Sequence, residues 1–407
     1  MATLRAILSV IVLLSLSTGS ALSQWVFVNN PSGIGYVRVN CFTSIGSKIF
    51  AGCTGGGVFF STDRGANWAA VNAGLKNKDI GSLAVRGTTL YAGTGAGLYA
   101  TTNEGTTWDS IHVSIGGPFA SIGARFFGSG SAGVYVSTNN GADWASVSTG
   151  LPSGGGALAV IDTNLFLSAN GFPSGAYRST NYGVDWSPIN VGLPTNPFLT
   201  SIFSNGKNLF GGLNGGGLYL STDKGNTWNL GNNGLPSSNE LHFVASGPTI
   251  LVGTYGTGVY LSGNDGASWT DVNGTLPNKF VRSNAVIGTD VFIGLYEGTV
   301  YRRLLSQMAT SVKQLGIDIP GSYDLAQNYP NPFNPSTTIQ FSIPKSGLIT
   351  LKVFNALGQE VSELVSRNLD AGTYTSEWNA SGFASGVYYY RLETGSFVGT
   401  RKIVLVR

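Results

Sequence analysis

Short apolar stretches alternate with polar turns along most of the chain. Gly217-Leu218-Tyr219-Leu220 has the pattern of a β-strand, and the polar segment Ser221 to Thr227 and then Trp228 follow it. In that segment Asp223 can close a turn on its own backbone, and Gly225 can supply a positive φ. The unit, called here the tryptophan turn, therefore predicts a strand, a tight turn and a second strand that starts with a buried indole.

The tryptophan turn occurs six times at a nearly constant spacing. Successive tryptophans are separated by 40, 36, 42, 42 and 41 residues, and this period indicates a repeat architecture. The predicted structural residues of the six turns are Asp63, Gly65 and Trp68; Asn103, Gly105 and Trp108; Asn139, Gly141 and Trp144; Asn181, Gly183 and Trp186; Asp223, Gly225 and Trp228; and Asn264, Gly266 and Trp269.

Each repeat contains enough alternation for four strands. In one repeat, strands are predicted at 82–85, 90–93 and 97–100, and the fourth begins at the next tryptophan. Four antiparallel strands in about 40 residues are typical of a propeller blade. We therefore expect an all-β chain whose residues 24–305 form a β-propeller of four-stranded blades.

The two ends of the repeat region determine the number of blades. The last unit, 283–304, has three strands and no tryptophan turn, whereas 25–28 is a strand with no blade before it. The simplest interpretation is a seven-bladed ring in which 25–28 completes the last blade, so that no central strand edge stays open. A six-bladed ring with ragged ends is the alternative.

The tryptophan turns resemble the Asp-box, or BNR repeat, of sialidase-like and sortilin-like β-propellers. The resemblance extends over all six copies, from Ser61-Thr62-Asp63 to Ser268-Trp269. It implies the propeller fold. It implies little about activity, because in that family the Asp-boxes lie on the edges of the propeller, away from the catalytic centre.

The N-terminus has the pattern of an export signal, and the overall charge is small. Arg5 precedes the apolar run Ala6 to Leu16, and Ala21-Leu22-Ser23 fits a cleavage site. Residues 1–23 are thus a predicted signal peptide, too short for a stable membrane span, with a retained anchor as the alternative.

Glycine is frequent (59 of 407), as tight turns require, and a net charge of +3 without a basic stripe argues against nucleic acid as a partner.

A second module follows the propeller. Residues 306–322 are a predicted linker, and 323–407 begin with a proline-rich stretch that forces an extended conformation. Strands are predicted at 338–343, 348–354, 372–378, 386–392 and 398–406. This pattern suggests a small Ig-like β-sandwich.

Residues 323–407 resemble the type A C-terminal sorting domain of the type IX secretion system of Bacteroidetes-like bacteria. The resemblance is carried by Asn328 to Thr338, Val353 to Gly358, Ala371 to Tyr374, Ala384 to Leu392 and Thr400 to Arg407. It implies export through the periplasm, with the type IX machinery as a partner, and a final location in the medium or on the outer-membrane surface. In that family the domain is commonly removed, and the cargo is released or attached to surface lipopolysaccharide. An ordinary adhesive sandwich is the alternative.

Cys41 and Cys53 are the only cysteines, and we expect them on the first two strands of the first blade. In an exported protein a cross-strand disulfide between them is possible, and two buried free thiols are the alternative, because cross-strand geometry is often strained. No metal site is expected, since His112 and His242 have no paired spacing. No cofactor motif is evident.

The first functional hypothesis is a binding module for a glycan or protein ligand. Propellers gather loops from every blade on one face and form a rigid platform. Here the face opposite the tryptophan turns carries the loops that lead into each blade and the turns between second and third strands. The aromatic candidates for ligand contact in or beside these loops are Phe119, Phe172, Phe198, Tyr255 and Tyr296.

The alternative is a glycoside hydrolase, which needs two carboxyl groups that flank the scissile bond. The candidates on the same face are Asp79, Glu240 and Glu297. A sialidase resemblance would require Arg-Ile-Pro before the first turn, whereas this chain has Tyr36-Val37-Arg38-Val39. Xyloglucan-cleaving relatives generally use two propellers. Binding without catalysis is therefore the preferred hypothesis. The blades also resemble the propellers that assist photosystem assembly, but we transfer only the fold from them and not the assembly role.

Overall fold

The computed structural model describes residues 24–28, 37–112, 114–152, 154–169, 171–237, 240–305, 308, 313–314 and 320–406. The predicted signal peptide, 1–23, and most of the predicted linker, 306–322, lie outside the described residues. The chain divides into two compact units, Trp25–Ser311 and a second one that includes Val312–Arg407. Within the ranges given, no helix is long and apolar enough to cross a membrane.

The first unit is a propeller of seven four-stranded antiparallel sheets, as predicted. Blades 1 to 3 consist of β2 (Val39–Ile45), β3 (Lys48–Cys53), β4 (Gly57–Ser61) and β5 (Ala69–Ala70); β6 (Ile80–Arg86), β7 (Thr89–Thr94), β8 (Gly97–Thr101) and β9 (Asp109–His112); and β10 (Ile115–Ile122), β11 (Arg125–Gly130), β12 (Gly133–Ser137) and β13 (Ala145–Ser146). Blades 4 and 5 consist of β14 (Leu158–Ile161), β15 (Asn164–Ala169), β16 (Gly175–Ser179) and β17 (Ser187–Pro188); and β18 (Leu199–Ser204), β19 (Leu209–Leu213), β20 (Gly217–Ser221) and β21 (Asn229–Leu230). Blades 6 and 7 consist of β22 (Leu241–Ser246), β23 (Thr249–Thr254), β24 (Gly258–Ser262) and β25 (Thr270–Asp271); and β26 (Val281–Ile287), β27 (Asp290–Leu295), β28 (Val300–Leu304) and β1 (Val26–Val28).

The N-terminal strand closes the ring. Strand β1 pairs antiparallel with β28, with Val26 opposite Arg302 and Val28 opposite Val300. Trp25, directly before it, is buried, and its indole Nε1 donates a hydrogen bond to the Val272 carbonyl of blade 6 at 3.0 Å. The ring therefore has seven blades, and the six-bladed alternative is wrong.

The six tryptophan turns share one hydrogen-bond pattern. In the turn of blade 5, the Ser221 hydroxyl donates to Asp223 Oδ1 at 2.8 Å and accepts from the Gly225 amide, while Thr227 N donates to Asp223 Oδ1. The same three bonds recur in the turns around Asp63, Asn103, Asn139, Asn181 and Asn264. The turn glycines have φ between 82° and 88°, so the predicted positive φ is confirmed.

In blades 2, 4, 5 and 6, an indole hydrogen bond from the turn tryptophan joins the blade to the one before it. The Trp228 Nε1 donates to the Ile189 carbonyl, which lies directly after the fourth strand of blade 4, at 2.7 Å. Equivalent bonds run from Trp108 to Val71, from Trp186 to Val147 and from Trp269 to Gly231. Trp144 differs, because its indole donates to Gly141 of its own turn.

A glycine in the loop after the fourth strand of blades 1, 3, 4 and 5 makes this contact possible. Gly192 has a φ of +93°, and a Cβ on it would lie 2.1 Å from the Trp228 carbonyl oxygen. Gly74, Gly150 and Gly234 lie in the same way against Trp108, Trp186 and Trp269. Any side chain at these positions would therefore push the tryptophan away from the preceding blade.

Polar pairs reinforce the same junctions on the face that carries the tryptophan turns, called here the hairpin face. The residue before each turn glycine has a positive φ and contacts the hairpin between the first and second strands of the preceding blade. The pairs are Arg64 with Asp290, Glu104 with Lys48, Asn140 with Arg86, Tyr182 with Arg125, Lys224 with Asp162, and Asp265 with Lys207. In the pair of Arg64 and Asp290, the guanidinium donates two hydrogen bonds to the buried carboxylate, with N–O distances of 2.7 and 2.8 Å.

Cys41 and Cys53 are both free, so the possible disulfide is not formed and the alternative of two free thiols is observed. A β-bulge shifts the register, so Cys41 pairs with Gly52 and Cys53 with Val39. Cys53 packs in the layer shared with blade 7, and Cys41 packs in the layer shared with blade 2. Burial raises the pKa of Cys41 to about 12 and also raises that of Cys53.

The second unit contains two four-stranded sheets, with strand orders β29-β34-β31-β30 and β33-β32-β35-β36. Their strands are β29 (Lys313–Gln314), β30 (Asp324–Leu325), β31 (Ser336–Ile343), β32 (Gly347–Asn355), β33 (Glu360–Leu369), β34 (Gly372–Asn379), β35 (Gly386–Glu393) and β36 (Val398–Leu405). The core around Trp378, Tyr390 and Phe341 fits the predicted Ig-like sandwich. Strand β33 was not predicted, because a register shift puts Leu364 and Val365 side by side and hides its alternation.

We predict that Asp63 and Asp223 make the propeller sensitive to acid. Hydrogen bonds from the Asn67 amide, the Asn67 side chain and Ser61 lower the Asp63 pKa from 3.8 to about 2. At Asp223, partial burial raises the pKa, but the bonds from Thr227 outweigh it and the pKa is lowered. A depressed carboxyl pKa stabilises the fold above the unfolded value and loses that effect as the pH falls through the folded value.

Asparagine already occupies this position in four turns, so an Asp63→Asn, Asp223→Asn variant keeps the turn without a titrating group. We expect its free energy of unfolding, from denaturant titration, to fall less between pH 5 and pH 2.5 than that of the unmodified protein. Asp109→Asn, at an exposed position of β9, controls for loss of one negative charge. An equal fall in all three proteins would contradict the prediction.

Candidate ligand-binding face

The inner strands surround a central cavity of about 930 Å³. The first strand of each blade lies innermost, where β2 contacts β6 on one side and β26 on the other. Residues that line the cavity come from all seven blades and include Asn40, Ser82, Gly116, Gly156, Ser201, His242 and Asn284. We call the end with the loops that lead into the inner strands the mouth face.

β-Bulges near the start of inner strands direct side chains into the cavity. In β2, Val39 pairs with Cys53 and Cys41 with Gly52, which leaves Asn40 between them without a partner in the ladder. In β26, Val281 pairs with Leu295 and Ser283 with Gly294, so Arg282 has the equivalent place. Strands β6, β10 and β18 show the same irregularity. A bulge re-aims a side chain, and here it brings Asn40 and Arg282 to the cavity.

The cavity wall contributed by blades 6, 7 and 1 is charged. Arg282 Nη1 lies 3.2 Å from Glu240 Oε2, and its Nε donates to Asn40 Oδ1 at 3.4 Å. His242 Nε2 lies 3.7 Å from the same Glu240 oxygen, and the His242 carbonyl accepts from Asn284 at 2.8 Å. The proximity of His242 and the positive charge of Arg282 outweigh partial burial and lower the Glu240 pKa. Glu240 is therefore held as a carboxylate.

The opposite wall, from blades 2 to 4, is mostly main chain and hydroxyl groups. It is lined by Gly81, Gly116, Gly117, Gly130, Gly155 and Gly156, with Ser82, Ser129 and Ser131 among them. Two of these glycines are required for space, since a Cβ on Gly156 would lie 1.6 Å from the Ser168 carbonyl oxygen, and one on Gly130 would lie 1.8 Å from the Ser114 carbonyl oxygen. The cavity is thus charged on one side and neutral on the other.

An aromatic cluster lies at the mouth face above the charged wall. The Tyr255 ring meets the Phe280 ring edge to face at 4.9 Å and the Tyr296 ring at 5.6 Å. The guanidinium of Arg38 lies 3.8 Å from the centre of the Tyr296 ring. Main-chain bonds fix the cluster, because Tyr255 N donates to the Glu240 carbonyl and Tyr296 N to the Phe280 carbonyl. The structure therefore places Tyr255 and Tyr296 together, next to Glu240.

The other predicted aromatic candidates have different environments. Phe172 is 84% exposed and Phe198 is 46% exposed, so both rings are accessible on their loops. Phe119 lies in β10 instead, and its ring stacks on Phe126 at 5.4 Å inside blade 3. Phe119 is therefore a packing residue.

The three predicted carboxylates have separate partners. Asp79 Oδ1 accepts from the Gly55 amide at 2.6 Å and so anchors the turn between β3 and β4. Glu297 accepts from the Asn278 side chain at 3.0 Å, in the turn of blade 7. Only Glu240 lines the cavity. Among the residues that the structure describes, no group of three or more His, Cys, Asp or Glu side chains could hold a metal ion.

Sequence reasoning missed Asn40, His242, Phe280 and Arg282 as site residues. Their shared signal is position, because each lies within three residues of the start of an inner strand, where a bulge or the strand end points toward the cavity. Phe280 directly precedes β26, as Glu240 precedes β22. Aligning the repeats on the inner strand rather than on the tryptophan would have grouped these positions.

The fold and its second module define an exported β-propeller protein. Residues 327–406 match the family described as the secretion system C-terminal sorting domain, which confirms the predicted sorting domain. Such a domain implies handling by the type IX secretion machinery and export to the surface or the medium of a Bacteroidetes-type bacterium. A search among curated proteins for relatives of this chain gave no match.

Solved structures with a similar fold are found in several contexts. YCF48 from Cyanidioschyzon merolae is 15% identical, with a TM-score of 0.51 over 69% of this chain and 98% of that one. The extracellular domain of the two-component system BT4673 from B. thetaiotaomicron is 17% identical, with a TM-score of 0.58 over 80% of this chain and 45% of that one, so this chain spans less than half of it. The WD40 β-propeller domain of Doa1 is 11% identical, with a TM-score of 0.53 over 69% of this chain and 95% of that one. These likenesses show the fold.

We predict that the neutral wall tolerates a side chain at Gly95 but not at Gly156, although both glycines line the cavity. A Cβ on Gly156 meets a carbonyl oxygen that cannot move away, whereas the nearest atom to a Cβ on Gly95 is the Asn77 amide nitrogen at 3.9 Å. Gly156→Ala should lower the free energy of unfolding by about 1–3 kcal/mol. Gly95→Ala should change it by less than about 0.5 kcal/mol. Denaturant titration measures both, and equal losses would contradict the assignment of Gly156 to close packing.

Proposed function

We propose that this protein is an exported, non-catalytic binding protein that holds a glycan or protein ligand at the mouth face of its propeller. The main support is the aromatic cluster of Tyr255, Phe280 and Tyr296, which lies on rigid main chain beside the cavity. Binding sites combine a concave cavity with rigid aromatic surface and a few placed polar groups. Here Arg282, Glu240 and Asn40 are those polar groups.

The state of Glu240 supports binding over hydrolysis. A glycosidase needs one carboxylic acid whose pKa is raised, so that it can donate a proton, and a second carboxyl group at a defined separation. Glu240 has a lowered pKa. The other two candidates are engaged by Gly55 and Asn278 in separate turns.

The repeated turns support the assignment of the propeller to the Asp-box class. Each turn uses an Asp or Asn side chain to cap the amide that precedes the tryptophan and a serine or threonine hydroxyl to cap the glycine amide. These contacts lie on the hairpin face, so in this proposal they are structural. Removal of the sorting domain, followed by release or by attachment to surface lipopolysaccharide, completes the proposed route.

The test is ligand capture by the full exported chain on a panel of polysaccharides and extracellular proteins. Phe280 is 42% exposed in the cluster, and Phe280→Ala should weaken binding about tenfold or more, since a central aromatic contact of about 1.4 kcal/mol corresponds to a factor of ten. Leu230→Ala is the matched control, because Leu230 is 62% exposed on an outer strand, away from the cavity. Its affinity should not change.

The same panel tests the hydrolase alternative. Reducing ends released by the unmodified protein should stay at the background level. Release that disappears in a Glu240→Gln variant would overturn the proposal in favour of a glycoside hydrolase. Equal binding by the Phe280→Ala variant and the unmodified protein would place the ligand elsewhere.

A further inference from the structure

Arg38 is a fixed cation with unused hydrogen-bond donors. Its guanidinium stacks on the Tyr296 ring at 3.8 Å, and among the described residues no acceptor takes a hydrogen bond from it. Stacking immobilises the guanidinium plane and leaves its N–H edge open. That edge matches a carboxylate bidentately. A guanidinium held in this way on the mouth face is prepared for an anionic ligand.

Arg282 adds a second guanidinium beside the first. It belongs to the adjacent blade and donates through Nε to Asn40, which lies two residues from Arg38 along the chain. Its Nη1 faces Glu240, while Nη2 has no hydrogen-bond partner among the described residues. Arg38 and Arg282 therefore belong to adjacent blades, 1 and 7, in one sector of the mouth.

Charge on the mouth face is segregated. The cations are Arg38, Lys76, Lys78, Lys279 and Arg282, all in the loops or first strand residues of blades 1, 2 and 7. The carboxylates of the same sector, Asp79, Glu240 and Glu297, each have partners within the protein. The loops of blades 3 to 5 on this face carry no charged residue. A ligand therefore meets a basic sector next to a neutral one.

The neutral surface fits a sugar chain better than a peptide. Blades 2 to 5 offer glycine main chain and the hydroxyls of Ser82, Ser129, Ser131 and Thr200 to the cavity. The exposed rings of Phe198 and Phe280 lie at equivalent positions, each directly before an inner strand. Flat rings and hydroxyls around a shallow opening suit pyranose rings.

We propose that the mouth face binds an acidic polysaccharide, with a uronate carboxylate on Arg38, assisted by Arg282, and a neighbouring sugar ring against Phe280. This inference rests on the proposed binding function and names its ligand class. The probe is polygalacturonate, and its fully methyl-esterified form is the matched neutral probe, because esterification removes the charge and keeps the sugar chain.

The experiment measures affinity of the full exported chain for both probes at low salt. We expect the esterified form to bind at least tenfold more weakly. Arg38→Gln should weaken polygalacturonate binding 10- to 100-fold, as expected for loss of hydrogen bonds to a charged group. Arg38→Lys should recover only part of the lost affinity, because a lysine ammonium lacks the planar pair of donors with which a guanidinium binds a carboxylate. Lys207→Gln makes the same change of charge at an exposed position of the hairpin face and should alter affinity less than threefold.

Several outcomes would overturn the proposal. These are equal affinity for the two probes, no binding to polygalacturonate, or an Arg38→Gln variant that binds as the unmodified protein does. Poly-glutamate bound as tightly as polygalacturonate, with the same dependence on Arg38, would replace the polysaccharide with an acidic peptide. The probe comparison needs no variant, so it holds even if Arg38→Gln affects folding. The proposed binding function would still stand if polygalacturonate did not bind but the protein bound another ligand and lost that binding in the Phe280→Ala variant.

Discussion

The propeller depends on the contact between a tryptophan and the blade that precedes it. Trp228 and its equivalents bury a large ring and donate the indole N–H to a carbonyl just after the neighbouring fourth strand. Each repeat therefore completes the packing of the repeat before it, as in other nearest-neighbour repeat proteins. The last blade has no tryptophan turn of its own, and Trp25, directly before its fourth strand, fills the same role through its bond to Val272. Pairing of β1 with β28 closes the ring, and Trp25 gives the last blade the same kind of contact with blade 6 that Trp228 makes with blade 4.

This constraint divides the two faces of the ring. On the hairpin face, turn residues such as Arg64 and Lys224 are engaged with the hairpin of the preceding blade, so a change there acts on blade assembly. On the mouth face, the loops are held by main-chain bonds such as that from Tyr255 N to the Glu240 carbonyl. Apart from glycines such as Gly192, which contact a tryptophan, residues there can vary without loss of the junctions. The physical requirements of the ring therefore leave the mouth face available for recognition.

The sequence pattern was sufficient for the architecture and insufficient for the site, for one physical reason. Blades and turns follow from periodic features, since all six tryptophan turns share one hydrogen-bond pattern. Arg282 and Asn40 are not periodic, and they reach the cavity only because a bulge takes them out of the ladder. The same bulge offsets Cys41 from Cys53, and the offset thiols pack on opposite faces of their sheet. The alternation of apolar and polar residues predicts only residues within the regular ladder, so it cannot identify a residue that a bulge takes out of the ladder.

The asymmetry of the cavity must come from side-chain identity, because the seven sheets share one backbone plan. The bulge position holds Asn40 in blade 1, Gly81 in blade 2, Thr200 in blade 5 and Arg282 in blade 7. Large polar groups on one side and glycine on the other narrow the cavity unevenly and give it a direction. A ring with the same residue at the bulge position of all seven blades would present the same chemical groups on every side of the cavity. Variation at a single structurally equivalent position therefore makes an otherwise repetitive scaffold asymmetric.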